Sequence, residues 1–400
     1  MTSIMTRRSL LATAPIAAAV NTPKPEFPVT REFTCLNNAR WHPMSKGTRR
    51  AMEQFLDFKS TGGLDGKEIG PPIQSEARQR FAQLINATPS EISLVQSTTM
   101  GENLVVRGLG IPKSGGNIVT DALHFQGSLF MYSELAKQGL EVRIVQPRKD
   151  WRVHLEDLDK QIDRDTRLVA LSQVSMITGH EHNLKAVSDL AHSKGTLVYA
   201  DIIQAAGAMP IDVQASEVDF AACSSFKWLM ADFGLGFLYT NKRHLGGKLQ
   251  RSIYGYRQTT ATHYHLLPHE SAGERFVEFE TSSEAFSYFE ASSTASIVAA
   301  AVKHSLGEIL NLGVANIQAH RQPLLDRLRK EMPRLGFETL TPIGSNGPLL
   351  VFAKKDAAAT HGAKLKAAKV DVSVYPHRIR IAPSIYNDQS DIDRLLNALS

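Results

Sequence analysis

Residues 196–229, TLVYADIIQAAGAMPIDVQASEVDFAACSSFKWL, hold two continuous apolar runs joined by a turn-rich connection. Runs that are apolar throughout, rather than alternating, mark strands buried on both faces, as in a parallel sheet covered by helices. Each run ends on chemistry. The first closes at Asp201, with Gln204 just beyond it, and the second leads into Lys227 between Phe226 and Trp228. A strongly hydrated ammonium gains nothing from such neighbours. A lysine whose amine must be neutral and nucleophilic does.

Outward from this stretch, strand-like and helix-like segments alternate. EISLVQS (91–97) is followed by the helical TTMGENLVVRGL (98–109), and GNIVTDALH (116–124) by GSLFMYSELAKQ (127–138). TRLVALSQV (166–174) is followed by HNLKAVSDLAHSKG (182–195), and GFLYT (236–240) reads as a further strand. The alternation predicts an α/β fold, a mostly parallel sheet with helices on both faces. Residues 241–290 break the pattern and read as a long insertion over a site; their His-rich part is 254–269. ASIVAAAVKHSLGEILNLG (295–313) reads as a long helix, and the remainder as a small C-terminal α+β domain. The expected organisation is an export signal at 1–22, an N-terminal arm at 23–45, a large domain at 46–294, and a linking helix with the small domain at 295–400.

The chain has 400 residues, 42% apolar and 21% charged, enough for a sizeable core. A net charge of +5 without a basic block gives no support to nucleic-acid binding. No apolar run is long enough for a membrane span. MTRRSLLATAPIAAAV (5–20) joins Arg7-Arg8 to a short alanine-rich apolar stretch, the shape of a twin-arginine-like export signal and thus of a periplasmic or exported protein. The two cysteines, Cys35 and Cys223, are too few for a disulfide framework or a metal site. No metal is expected.

In an open parallel sheet, ligands bind beyond the carboxyl ends of the strands. Asp201 and Lys227 in that position suit pyridoxal 5′-phosphate: the lysine forms an imine with the aldehyde, and the carboxylate keeps the pyridine nitrogen protonated. Gln204 is placed to reach the ring's phenolic oxygen. Thr98 and Thr99, in STTMGEN (97–103), offer N–H and O–H donors to a phosphate at a helix start. His124 follows the next strand and can stack on the cofactor. Taken singly, Asp201 also reads as a helix cap and Thr98 as an ordinary N-terminal turn residue.

Together these elements resemble the class V aminotransferase family of fold-type I pyridoxal-phosphate enzymes, which includes cysteine desulfurases and isopenicillin N epimerase-like proteins. STTMGENLVVRGL is similar to the family's phosphate-binding helix start, DALHF (121–125) to its ring-stacking histidine, YADIIQAAG (199–207) to its Asp-x-x-Gln element, and SSFKW (224–228), with Ser224, to its Schiff-base lysine segment. RIRIAPSIYND (378–388) resembles its C-terminal arginine strand, so the resemblance implies that Arg380 clamps a substrate carboxylate. FEASST (289–294) resembles a segment that reaches the neighbouring subunit's phosphate in the family's homodimers, which implies a role for Ser293 or Ser292.

The chain departs from the family at three points. No cysteine precedes Arg380 in KVDVSVYPHRIRI (369–381), Phe226 stands where a histidine is common, and Met176 stands where an asparagine usually meets the ring oxygen. Arg257, His42, Arg40, His263 and His377 are further candidates for substrate contact. The expectation is a pyridoxal-phosphate-dependent aminotransferase acting on an amino acid or peptide-like amine, and not a persulfide-forming cysteine desulfurase. The alternatives are an epimerase, a C–S or β-elimination lyase of the same family, or a non-catalytic exported binding protein.

Overall fold

The computed structural model describes residues 24–62, 70–247 and 249–400. The expected export signal at 1–22 lies outside them. The strands, in chain order, are β1 (Thr34–Cys35), β2 (Ile92–Val95), β3 (Asn117–Asp121), β4 (Glu141–Val145), β5 (Thr166–Ser172), β6 (Leu197–Asp201), β7 (Phe220–Ser224) and β8 (Gly236–Thr240). They continue with β9 (Thr259–Tyr264), β10 (Val277–Thr281), β11 (Glu338–Thr339), β12 (Leu350–Ala353), β13 (Val370–Asp371), β14 (Ser373–Tyr375) and β15 (Arg378–Ile381). The helices that matter most for the site are α1 (Lys46–Thr61), α2 (Gly70–Leu84), α3 (Thr98–Gly108) and α4 (Gln126–Ala136).

The central sheet has seven strands in the order β2-β8-β7-β6-β5-β3-β4. β3, β4, β5, β6 and β7 run parallel, and β8 is antiparallel to both of its neighbours. The apolar runs explain this placement. Every residue of β3 and of β7 is buried, as expected of central strands covered on both faces. The fold is α/β, with a mostly parallel sheet, and its parallel strands deliver Asp121, Ser172, Asp201 and Ser224 to one edge of the sheet.

Two glycines set the spacing there. A Cβ at Gly101 would lie 2.9 Å from the Ala222 side chain, so α3 packs directly on β7 only because that position is bare. Gly207 has φ +86°, and a Cβ on it would meet the Trp228 carbonyl oxygen at 2.5 Å. The turn after β6 is thereby held against the segment that carries Lys227.

The smaller unit has the antiparallel sheet β11-β12-β15-β14, with helices Ala357–Ala367 and Gln389–Leu399. Its separate core includes Leu350, Phe352, Ile379, Ile381, Ile392 and Leu395. The N-terminal arm joins this unit, because β1 pairs in parallel with β13 and Asn37 bridges Ala382. The segment read as an insertion forms an antiparallel hairpin of β9 and β10 that is exposed along most of its length. It does not line the cavity described next. No single described helix is long and apolar enough to cross a membrane.

Candidate active site

A cavity of about 610 Å³ opens where the sheet edge, the N-terminal arm and the small unit meet. Lys227, Asp201, Thr98, Thr99, Ser224 and Arg380 all line it. Lys227 is only 7% exposed. Burial pulls its pKa down from 10.5 to about 8; the Asp201 charge opposes this and the Arg380 charge adds to it. Among the described residues the ammonium makes no hydrogen bond or ion pair, and its Nζ lies 5.7 Å from the centre of the Phe226 ring. A far larger share of the amine is thus neutral near pH 8 than in a free lysine, and no protein partner ties it up among the described residues.

Asp201 ends β6 and is also buried. Its Oδ1 accepts the Ile203 N–H at 2.9 Å, and its Oδ2 lies 3.4 Å from Ser172 Oγ. Burial raises its pKa, while the His124 charge works in the opposite direction. A buried carboxylate with no ion-pair partner among the described residues, facing a lysine with none, leaves room for a group carrying a cationic N–H at one end and an electrophile at the other.

The anion end is built by α3. Ser97 caps the helix through its Oγ, which accepts the Met100 N–H at 3.1 Å. Thr98 and Ser224 lock together: Thr98 N–H donates to Ser224 Oγ at 2.8 Å, and Ser224 N–H donates to Thr98 Oγ1 at 2.9 Å. Thr99 stands beside them at the first turn, where free N–H groups and the helix dipole favour a phosphate.

Arg380, 3% exposed on β15, closes the opposite wall. It donates to the Met176 carbonyl oxygen at 3.4 Å and to Ser373 Oγ at 3.1 Å. Ser373 donates to Asn37 Oδ1 at 2.6 Å, so the arm helps aim the guanidinium. Arg40 lines the same cavity from the arm.

Other expected residues are placed elsewhere. Gln204 spends its amide on the Trp228 indole N–H and the Ala39 carbonyl, both at 3.0 Å, and does not reach the cavity. His42 is buried between the Pro43 carbonyl and Ser384 Oγ, each 2.7 Å away, and burial lowers its pKa to about 4. Arg257 bonds Gln74 at 2.8 Å, and Ser293 bonds the Tyr256 hydroxyl; neither lines the cavity of this chain. His263 pairs with Glu280 on the exposed hairpin, and His377 accepts the Asp356 N–H at 3.1 Å. Cys35 and Cys223 are buried outside the cavity wall. Among the described residues no group of three or more side chains could hold a metal ion.

His124, expected to stack on the cofactor, is fully buried and is not among the residues lining the cavity. Its Nδ1 is 2.8 Å from Ser172 Oγ, and its Nε2 is 3.1 Å from Glu102 Oε1. Sequence reading did not single out Glu102 or Ser172. The available signal for Glu102 was a carboxylate on an apolar face of α3, in line with Val105 and Val106.

A family model for aminotransferase class V matches residues 71–395. The chain belongs to the aminotransferase class-V family. It is 29% identical over 234 residues to a probable cysteine desulfurase of Methanothermobacter thermautotrophicus, covering 58% of each chain. It is 31% identical over 205 residues to the cysteine desulfurase IscS of Shewanella loihica, covering 48% of this chain and 50% of that one. The match thus spans about half the length of these relatives. Among solved structures, the complex between the cystine C–S lyase C-DES and its reaction product cysteine persulfide has a TM-score of 0.81 at 21% identity, covering 93% of this chain and 98% of that one. This likeness is one of fold.

The cofactor is pyridoxal 5′-phosphate, and the residues present fit it. Lys227 would meet its aldehyde, Asp201 its ring nitrogen, and Thr98, Thr99 and Ser224 its phosphate. Two expectations are corrected. The aminotransferase reading is overturned by relatives and fold neighbours that carry desulfurase and C–S lyase names. The exclusion of a persulfide-forming cysteine desulfurase falls with it, because it rested only on the lack of a cysteine before Arg380. The cofactor contacts that sequence motifs report are common to all these reactions, so they cannot select one of them.

Proposed function

We propose that this chain is a pyridoxal-phosphate-dependent C–S lyase that cleaves the carbon–sulfur bond of a cysteine-type amino acid. The observation that carries the reading is Lys227, a buried amine with a pKa near 8 that shares one cavity with Asp201 and Arg380. The names of its relatives supply the sulfur. When bound, pyridoxal phosphate supplies a sink for the electron pair released at the substrate's Cα. Arg380 binds the substrate carboxylate and orients the Cα–H toward Lys227. Lys227 Nζ takes the proton as general base, which its lowered pKa allows near neutral pH. Phe226, Phe125 and Val374 wall the cavity with apolar surface and limit water at the reacting carbon.

Two finer readings go with this. The exposed β9–β10 hairpin, and the Tyr256–Ser293 contact away from this chain's own cavity, favour a homodimer in which that segment serves a neighbouring site. The Arg7-Arg8 leader favours export of the folded protein.

The test is to incubate the holoenzyme with cysteine and, separately, with cystine, and to assay sulfide, persulfide, pyruvate and alanine. Sulfur release with either three-carbon product supports the reading, and the product distinguishes elimination from desulfurisation. Intact C–S bonds in both substrates would overturn it.

A further inference from the structure

Glu102 presents a problem that the cofactor contacts do not solve. It sits on α3 at 1% exposure, where burial strongly disfavours an unpaired carboxylate. It accepts from three donors: His124 Nε2 at 3.1 Å, Tyr132 OH at 2.6 Å and Ser128 Oγ at 2.5 Å. Tyr132 and Ser128 come from α4, and His124 follows β3. On the other side of the imidazole, Nδ1 meets Ser172 Oγ, whose hydroxyl donates to Asp201 Oδ2.

Counting hydrogens shows what an ionised Asp201 demands of its neighbours. Ser172 has one hydroxyl hydrogen, and in this arrangement it goes to Asp201 across 3.4 Å. Nδ1 of His124 must therefore donate to Ser172. Glu102 as a carboxylate can only accept, so Nε2 must donate as well. An imidazole that donates from both nitrogens is an imidazolium. A neutral His124 would take the Ser172 hydrogen and leave Asp201 Oδ2 without its donor. The groups facing His124 agree with this. Glu102 from α3, Asp121 at the end of β3 and Asp201 at the end of β6 are acids, and Tyr132 from α4 is a neutral phenol. Burial opposes the imidazolium, yet these carboxylates outweigh it and raise the His124 pKa.

We propose that Glu102 is a positioning residue that keeps His124 doubly protonated and, through Ser172, holds Asp201 ionised and aimed at the cofactor's ring nitrogen. The proposal rests on the pyridoxal-phosphate assignment of the cavity and is independent of which bond of the substrate is cleaved. Without the imidazolium, Asp201 would keep a proton of its own more readily and lose its grip on a protonated ring. Glu102 acts through His124 and touches neither substrate nor cofactor.

The experiment uses the full chain loaded with pyridoxal phosphate labelled with ¹⁵N in its ring, and with ¹⁵N-labelled histidine. The His124 signals are identified by their loss in His124→Gln. In the wild type both His124 nitrogens are expected in the protonated range at pH 7.5, with the cofactor nitrogen protonated. Glu102→Gln keeps the size and the hydroxyl contacts but removes the charge. It is expected to return one His124 nitrogen to the unprotonated range, shift the cofactor nitrogen signal, and weaken cofactor binding about tenfold, with Glu102→Asp restoring part of each change. Unchanged nitrogen signals in a folded Glu102→Gln protein would overturn the proposal and leave Glu102 a tie between α3 and α4. Should Glu102→Gln not fold, Ser172→Ala serves instead, because it leaves the Glu102–His124 pair intact and removes the hydroxyl that joins His124 Nδ1 to Asp201. A shifted cofactor nitrogen signal then supports the relay, and an unshifted one overturns it.

Discussion

The Arg380 guanidinium donates to the Met176 carbonyl oxygen across 3.4 Å, and so joins β15 of the small unit to the turn that follows β5 of the large sheet. That contact spans the cavity. It fixes one donor of the fork and leaves Nε without a protein partner. Arg380→Lys, which keeps the charge but loses the fork, is expected to raise KM for an amino-acid substrate on the order of tenfold or more while the fold persists. Steady-state kinetics against thermal unfolding separates the two effects. An unchanged KM would remove Arg380 as the carboxylate clamp.

The lowered pKa of Lys227 has a kinetic consequence. The neutral amine is the reactive form, and its fraction rises as pH passes through the pKa. Capture of pyridoxal phosphate by the apoprotein should therefore accelerate with a midpoint near pH 8, rather than near the 10.5 of a free lysine. The Arg380 charge contributes to this lowering, so Arg380→Met should move the midpoint upward. Stopped-flow absorbance across pH 6–11 reads both; a midpoint near that of free lysine in the wild type would count against a buried amine.

Asp201→Asn keeps the shape of the site and removes the only carboxylate that lines it among the described residues. Turnover is expected to fall by a factor on the order of a hundred or more, the scale seen when one preorganised electrostatic partner is lost. Cofactor dialysis rates and kcat, measured together, would show whether the loss lies in retention or in chemistry.

Thr98 and Ser224 satisfy one another through a reciprocal pair of hydrogen bonds. Ser224→Ala leaves the Thr98 N–H buried without its acceptor. The apoprotein should lose about 1–3 kcal/mol by urea denaturation. The loaded protein should also release pyridoxal phosphate faster than wild type.

His42 should behave as a structural group. It is neutral in the folded protein down to about pH 4, whereas the unfolded chain protonates it near 6.5. Its contribution to stability is full above pH 6.5 and is lost as pH falls from there toward 4. His42→Gln should flatten that part of the acid limb in a plot of Tm against pH, with KM unaffected.

The sheet and the placement of Lys227 and Asp201 were legible because buried parallel strands write themselves as continuous apolar runs, and function collects at their carboxyl ends. Glu102 was not legible, because what gives it meaning is contact with a histidine on another element. Gln204 and His42 went astray for a related reason: side chains that satisfy their polar atoms inside the protein read, in sequence, like groups available to a ligand. Arg257 and Ser293 sit on a surface of this chain away from its cavity, and local sequence does not report which face of the fold a loop occupies. The reaction was misread as transamination because Thr98, Asp201 and Lys227 handle the cofactor, while the fate of the substrate depends on how the small unit and the arm shape the wall around Arg380.

The most direct measurement is reduction of the protein, loaded with pyridoxal 5′-phosphate, by borohydride, followed by mass mapping of its peptides. The added mass is expected on the peptide carrying Lys227 and on that lysine alone. A peptide unmodified at Lys227, in protein that retains the cofactor, would contradict the account.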